Sequence, residues 1–167
     1  MTARRLGALV AAALGLMGAL GASALGATGG TTVLKFHDAS STFTGIGFNA
    51  NDPNAVPPIG GSFVITIKLE NVGTQFGKPS GTTVGRVLLD CTVMAESSPE
   101  SLDGICNGIA HVPNGFFTFV GNGGLGNQKI THFAITGGVG PYASSRGQIR
   151  VVNNTDGSSD ATVTLSS

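Results

Sequence analysis

The stretch Ile130–Val152, ITHFAITGGVGPYASSRGQIRVV, decides the fold. It opens as a strand. Phe133 and Ile135 alternate with His132, Ala134 and Thr136, the period of two that separates a buried face from an open one. It then reaches Gly137-Gly138-Val139-Gly140-Pro141. Three glycines and a proline in five residues predict an end to the strand, because they disfavour regular structure and supply the positive and fixed φ angles of a turn. Tyr142 and Ala143–Gly147 follow, and Gln148–Asn153 reads as a second strand. The stretch thus predicts two strands joined by a glycine-built corner, with one aromatic ring folded back over it.

The same rhythm runs outward from this corner. Upstream, Thr31–Asp38 reads as a strand, Ser40–Thr44 as a polar connection and Ile46–Asn51 as a candidate short strand. Three prolines within Asp52–Pro58 mark a loop. Ser62–Asn71 alternates most strictly, with Phe63, Ile65, Ile67 and Leu69 on one face and Val64, Thr66, Lys68 and Glu70 on the other. Thr82–Glu96 and Ile105–Val112 flank a polar loop, and Pro113-Asn114-Gly115 is a turn. Phe116–Val120 is an aromatic strand and Gly121–Asn127 a glycine-rich loop. Downstream, Asp156-Gly157 is the expected hairpin tip before a last strand, Ala161–Ser166. Gly121-x-Gly123-x-x-Gly126 has the spacing of a dinucleotide fingerprint, but a strand follows it, so no helix N-terminus is there to receive a pyrophosphate. Regularly spaced short strands predict an all-β sandwich or barrel. Terminal strands that can pair with each other favour the barrel, which leaves no edge exposed.

The run Phe133-Ala134-Ile135-Thr136-Gly137-Gly138-x-Gly140-x-Tyr142-x-x-x-Arg146-Gly147-Gln148-Ile149 resembles the strand–corner–strand signature of the allene oxide cyclase and dirigent superfamily, in particular the allene oxide cyclase-like barrel. The resemblance implies an eight-stranded antiparallel barrel, lipocalin-like in shape, with a lumen. It also implies a homo-oligomer, trimer or dimer, since plant relatives are trimers. It does not by itself imply a reaction, because the residues that serve catalysis in the plant cyclase lie outside the matched run.

The first residues read as a separate segment. Arg4-Arg5, the apolar run Leu6–Leu20 and the small-x-small site Ala22-Ser23-Ala24 have the form of a cleaved secretory signal peptide over 1–24, leaving a domain over 25–167. The expected localisation is secreted, extracellular, with no stable membrane insertion after cleavage. Losing Arg4 and Arg5 lowers the basic count from 9 to 7 against 9 acids, near net −2. That balance argues against nucleic acid as a partner, which calls for a basic patch.

In an exported chain the two cysteines, Cys91 and Cys106, predict one disulfide. If they oppose each other on neighbouring antiparallel strands, the register follows. Arg86 then faces His111, Leu88 faces Ile109, and Asp90 faces Asn107, all on one side of the sheet. Val87, Leu89, Cys91, Cys106, Gly108 and Ala110 share the other. Two readings of this ladder stay open. Either the apolar side lines the barrel and the polar side meets solvent, or Arg86, Asp90 and His111 point inward as catalytic groups, with Asn107 orienting a ligand. Tyr142 is a further ligand-binding candidate, or an anchor packed over the corner glycines. Arg146 also falls on the matched run, in a structural role. His37-Asp38 ends the first strand as an acid–base pair at the rim or as a turn cap, and His132 carries no signal. No His, Cys and carboxylate set has metal-site spacing, and no Gly-x-Ser-x-Gly elbow occurs. No cofactor is expected.

The functional expectation is a barrel that binds a small apolar molecule, either as a cofactor-independent cyclase or isomerase or as a non-catalytic, dirigent-like guide or carrier. An extracellular structural domain without a ligand is the third reading.

Overall fold

A computed structural model describes residues 30–46, 48, 57–98, 101–126 and 128–166. The expected signal peptide over 1–24 lies outside them, as does most of the candidate strand Ile46–Asn51. Eight antiparallel strands run as β1 (Thr31–Ile46), β2 (Ser62–Asn71), β3 (Thr83–Ser98), β4 (Ser101–Val112), β5 (Gly115–Gly126), β6 (Ile130–Val139), β7 (Arg146–Asn153) and β8 (Ser159–Ser166). Each pairs with its neighbours in sequence, and β1 pairs with β8 to close the barrel, from Thr31 opposite Ser166 to His37 opposite Asp160. The eight-stranded antiparallel barrel expected from the corner motif is the architecture observed.

Several expected boundaries move; the polar loop after Glu96, for one, shrinks because β3 runs to Ser98 and β4 starts at Ser101. Ser40–Thr44 is not a connection. It continues β1 past a bulge at Ala39, where Asp38 faces Leu69 but Ser40 faces Lys68. The bulge resets the alternation, so Asp38 and then Ser41 both turn inward. Gly121–Gly126 is not a loop but the second half of β5, paired with Ser101–Cys106 of β4. Gly137, Gly138 and Val139 belong to β6, and the corner starts only at Gly140.

The last two share a cause: several of these glycines serve close approach, not turning. A Cβ on Gly138 would lie 2.4 Å from the Phe116 carbonyl oxygen, and one on Gly123 would lie 2.2 Å from Cys106 Sγ. At the corner itself Gly140 has a φ of 69°, and Gly140–Tyr142 forms one 3-10 turn.

Inward positions of all eight strands build one core, with Phe36, Phe63 and Phe117 almost wholly buried. The corner end of the barrel is closed. The Tyr142 ring meets Phe117 edge-on at 5.8 Å and packs over Gly138 and Gly115, while its hydroxyl donates to the Pro113 carbonyl at 3.4 Å. Asn71 is buried and its Nδ2 donates to the carbonyls of Gln75 and Lys78, fixing the β2–β3 connection, whose Phe76 ring stacks on Phe36.

Candidate functional site

The interior is not filled to the far end. A cavity of about 70 Å³ lies among Phe36, Leu69, Phe117, Phe119 and Val163. A second chamber of about 220 Å³ lies toward the opposite mouth, between Phe63, the Cys91–Cys106 disulfide, Thr131 and the β7–β8 hairpin residues Asn153, Gly157 and Ser159. The two share walls, among them Asp38, Ile67, Leu89, Phe133 and Ser159. The lumen therefore has an apolar depth and a mouth edged by the neutral polar groups Ser41, Thr131, Asn153 and Ser159.

Asp38 stands where the two spaces meet. Leu34, Phe36 and Asp38 alternate inward along β1, so a carboxyl occupies a position in line with two core residues. Its Oδ1 is buried and has no hydrogen-bond partner among the described residues. Burial raises its pKa above the ordinary aspartate value, while the adjacent His37 and the Ser40 backbone N–H hold it back. Among the described residues, Asp38 is the one titratable side chain on the walls of either cavity.

His37, one residue earlier, points outward, as the alternation requires. Its Nδ1 lies 2.8 Å from Asp160 Oδ1, across the β1–β8 seam. Asn154 Nδ2 donates to the other Asp160 oxygen at 3.1 Å. The hydrogen bond with Asp160 raises the His37 pKa and lowers that of Asp160. The pair is exposed, 40% and 52%, and belongs to the outer rim. The acid–base alternative for His37-Asp38 does not hold, because the wall separates the two, one member on each side; nor does a turn cap, since β1 continues past them.

The Cys91–Cys106 bond is present and the inferred register holds: Arg86 faces His111, Leu88 faces Ile109, and Asp90 faces Asn107. The apolar side is the lumen side. The inward reading of the ladder does not hold, because Arg86, Asp90 and Asn107 are exposed on the outer wall, and His111 rests there half-buried with its ring 5.6 Å from Phe116. Asp90 and Asn107 edge an outer hollow of about 460 Å³ with Val64, Leu88, Ile109 and Val120. Tyr142 closes the corner end and lines neither lumen cavity. Arg146 donates from Nη1 to the Ser145 carbonyl at the corner, and His132 is exposed. Among the described residues no three His, Cys, Asp or Glu side chains cluster as metal ligands would.

Asp38 escapes a reading that ends the first strand at that residue. The available signal was its place in the Leu34, Phe36, Asp38 alternation, a charge where the pattern calls for a core residue.

No family model matches the chain, and no curated protein matches it in sequence. Solved structures do. A pyocyanin demethylase superposes with a TM-score of 0.57 at 17% identity, over 81% of this chain and 98% of the other. The fold is the dirigent-type barrel. A pterocarpan synthase dirigent protein matches at 0.56 and 13% identity, over 83% of this chain and 88% of its own. A Diels-Alderase from Streptomyces koyangensis matches at 0.59 and 17%, over 81% of this chain and 63% of the other, so this chain spans less than two thirds of that enzyme. At these identities the likeness concerns the fold.

Proposed function

We propose that this dirigent-type barrel binds a small, largely apolar molecule in its lumen and acts on it as a cofactor-independent cyclase or isomerase, with Asp38 as the proton donor or acceptor. The observation that carries the reading is the Asp38 carboxyl at the junction of the two cavities, half-buried, with its Oδ1 buried and without a hydrogen-bond partner among the described residues. A buried carboxyl with a raised pKa keeps its proton nearer to neutral pH, which suits general acid catalysis. The apolar walls would hold a flexible substrate in one conformer and keep water out. Structural neighbours named for cyclisation or for dirigent activity support the reading at the level of the scaffold.

A non-catalytic guide or carrier is the second reading. It is favoured by the absence, among the described residues, of a second titratable group on the cavity walls. Turnover separates the two. Small polyenes and phenolics that the protein retains in native mass spectrometry are incubated with wild-type protein and with Asp38→Asn. Product formed by wild type and lost in the variant, with retention kept, supports the enzyme. Retention without product supports the guide, and no retention at all removes both. We also propose that residues 1–24 direct export and are removed, which N-terminal sequencing of protein recovered from the medium tests directly.

A further inference from the structure

Among the described residues, the walls of both cavities carry one ionisable group, Asp38, and no cation. Every lysine and arginine among the described residues, from Lys35 to Arg150, is exposed on the outside of the barrel. Of the histidines, His37 is turned outward onto Asp160, His132 is exposed, and His111 sits on the outer wall. The remaining polar groups at the mouth, Ser41, Thr131, Asn153 and Ser159, are neutral. Asp38 Oδ1 is an acceptor without a donor among the described residues.

From this asymmetry we infer that the lumen selects its ligand by charge: it takes a small one- or two-ring apolar molecule carrying a hydrogen-bond donor, preferably a protonated amine, and rejects carboxylates. The inference rests on the lumen being the binding site and adds the class of ligand. Size follows from the cavities, about 70 and 220 Å³, which fall below the usual range for drug-sized ligands. Charge follows from desolvation. An anion entering here would leave water for walls whose described residues offer no cation to offset its charge, and an ionised Asp38 would repel it. A cation would instead find the acceptor that Asp38 leaves open, and would draw the Asp38 proton off as it bound. A neutral donor such as a phenol or alcohol would satisfy the same oxygen without the charge term.

Three probes of nearly one shape test this: naphthylmethylamine, naphthylmethanol and naphthoate, titrated calorimetrically into the full chain as it is produced, near neutral pH. The expected order is amine, then alcohol, then naphthoate, with roughly a tenfold or greater gap between the first and last. Asp38→Asn and, as a second variant, Asp38→Leu should bring the amine down to the alcohol. Asp90→Asn, on the outer hollow, should leave the order unchanged. Naphthoate binding wild type as tightly as the amine overturns the inference while leaving the lumen reading in place. An amine preference that disappears in Asp90→Asn but survives both Asp38 variants also overturns it, since the site would then be the outer wall. Failure of all three probes to bind removes the inference together with the binding reading.

Discussion

Gly108 on β4 faces Phe119 on β5 directly across the ladder, between the core residues Cys106 and Ala110 of its strand. Adding a methyl group there is expected to destabilise the barrel through one ring. A Cβ on Gly108 would lie 2.1, 2.3 and 2.8 Å from three Phe119 ring atoms, all inside the distance that real Cβ contacts keep. The ring has little room to retreat. It meets Phe133 edge-on at 5.3 Å and lies 6.4 Å from Phe117, which in turn abuts Tyr142. Such overpacking costs about 1–3 kcal/mol. For a domain of this size each kcal/mol moves Tm by roughly 2–4 °C, so Gly108→Ala should lower Tm by about 2–12 °C. Thermal unfolding by circular dichroism, disulfide intact, reads the shift. A double-mutant cycle assigns it. Phe119→Leu alone should also destabilise, by removing the ring from its packing. In the double variant the methyl group occupies space the ring has left, so the combined loss should fall short of the sum by about 0.5–3 kcal/mol. A Gly108→Ala protein as stable as wild type, or losses that simply add, would refute the claim that this glycine exists to seat the ring.

Three further expectations concern charge and covalent structure. Asp38 binds its proton more tightly folded than unfolded, so its contribution to stability falls as pH rises from the ordinary aspartate range through its folded value. Asp38→Asn should therefore be more stable than wild type at neutral pH and lose the advantage in acid, as chemical denaturation across pH would show. The His37–Asp160 pair is bounded at both ends: His37 follows the same direction as Asp38, and Asp160 the opposite one. His37's raised value makes its contribution full below the ordinary histidine pKa and lost as pH rises through the folded one, while Asp160's lowered value makes its contribution full above the ordinary aspartate pKa and lost as pH falls through the folded one. His37→Gln should then cost most in mildly acid solution, about 0.2–1 kcal/mol for so exposed a pair, and melting curves at three pH values should show the loss shrinking above neutrality. Reducing Cys91–Cys106 opens a loop of 15 residues and should cost about 3 kcal/mol in the chain-entropy model, a Tm drop of roughly 6–12 °C with added reductant.

The barrel was legible because strand alternation, paired termini and the glycine-rich corner agree with one another. The register of β3 on β4 was legible down to single residues, because a disulfide between opposed strands fixes every other pair. Glycines misled where they stand for close approach. Gly123 beside Cys106 and Gly138 beside Phe116 look like turn residues in a sequence, since the atom that crowds them lies on another strand. Inside and outside were not legible at the ladder. A strand with Arg86 and Asp90 on one side and Leu89 and Cys91 on the other fits either orientation until the barrel closes. The site was missed for a related reason. Asp38 precedes a bulge, and a bulge leaves no mark in composition, so β1 seemed to stop at the residue where it turns a carboxyl inward.

The seam between β1 and β8 also governs when this protein can fold. Seven of its strand pairings join neighbours in sequence and need only local hairpins, but the eighth joins Thr31 to Ser166, the two ends of the barrel. Loop closure on that scale is entropically costly and slow compared with hairpin formation. A chain still on the ribosome, or one missing Ser159–Ser166, would hold a curled sheet with two unpaired margins and its apolar side exposed, a species that invites aggregation. Closure thus behaves as a completion check, in which β8, the last strand of the barrel, converts a sticky ribbon into a closed vessel. Trimming the C-terminus should abolish soluble protein far more sharply than trimming the mouth loops.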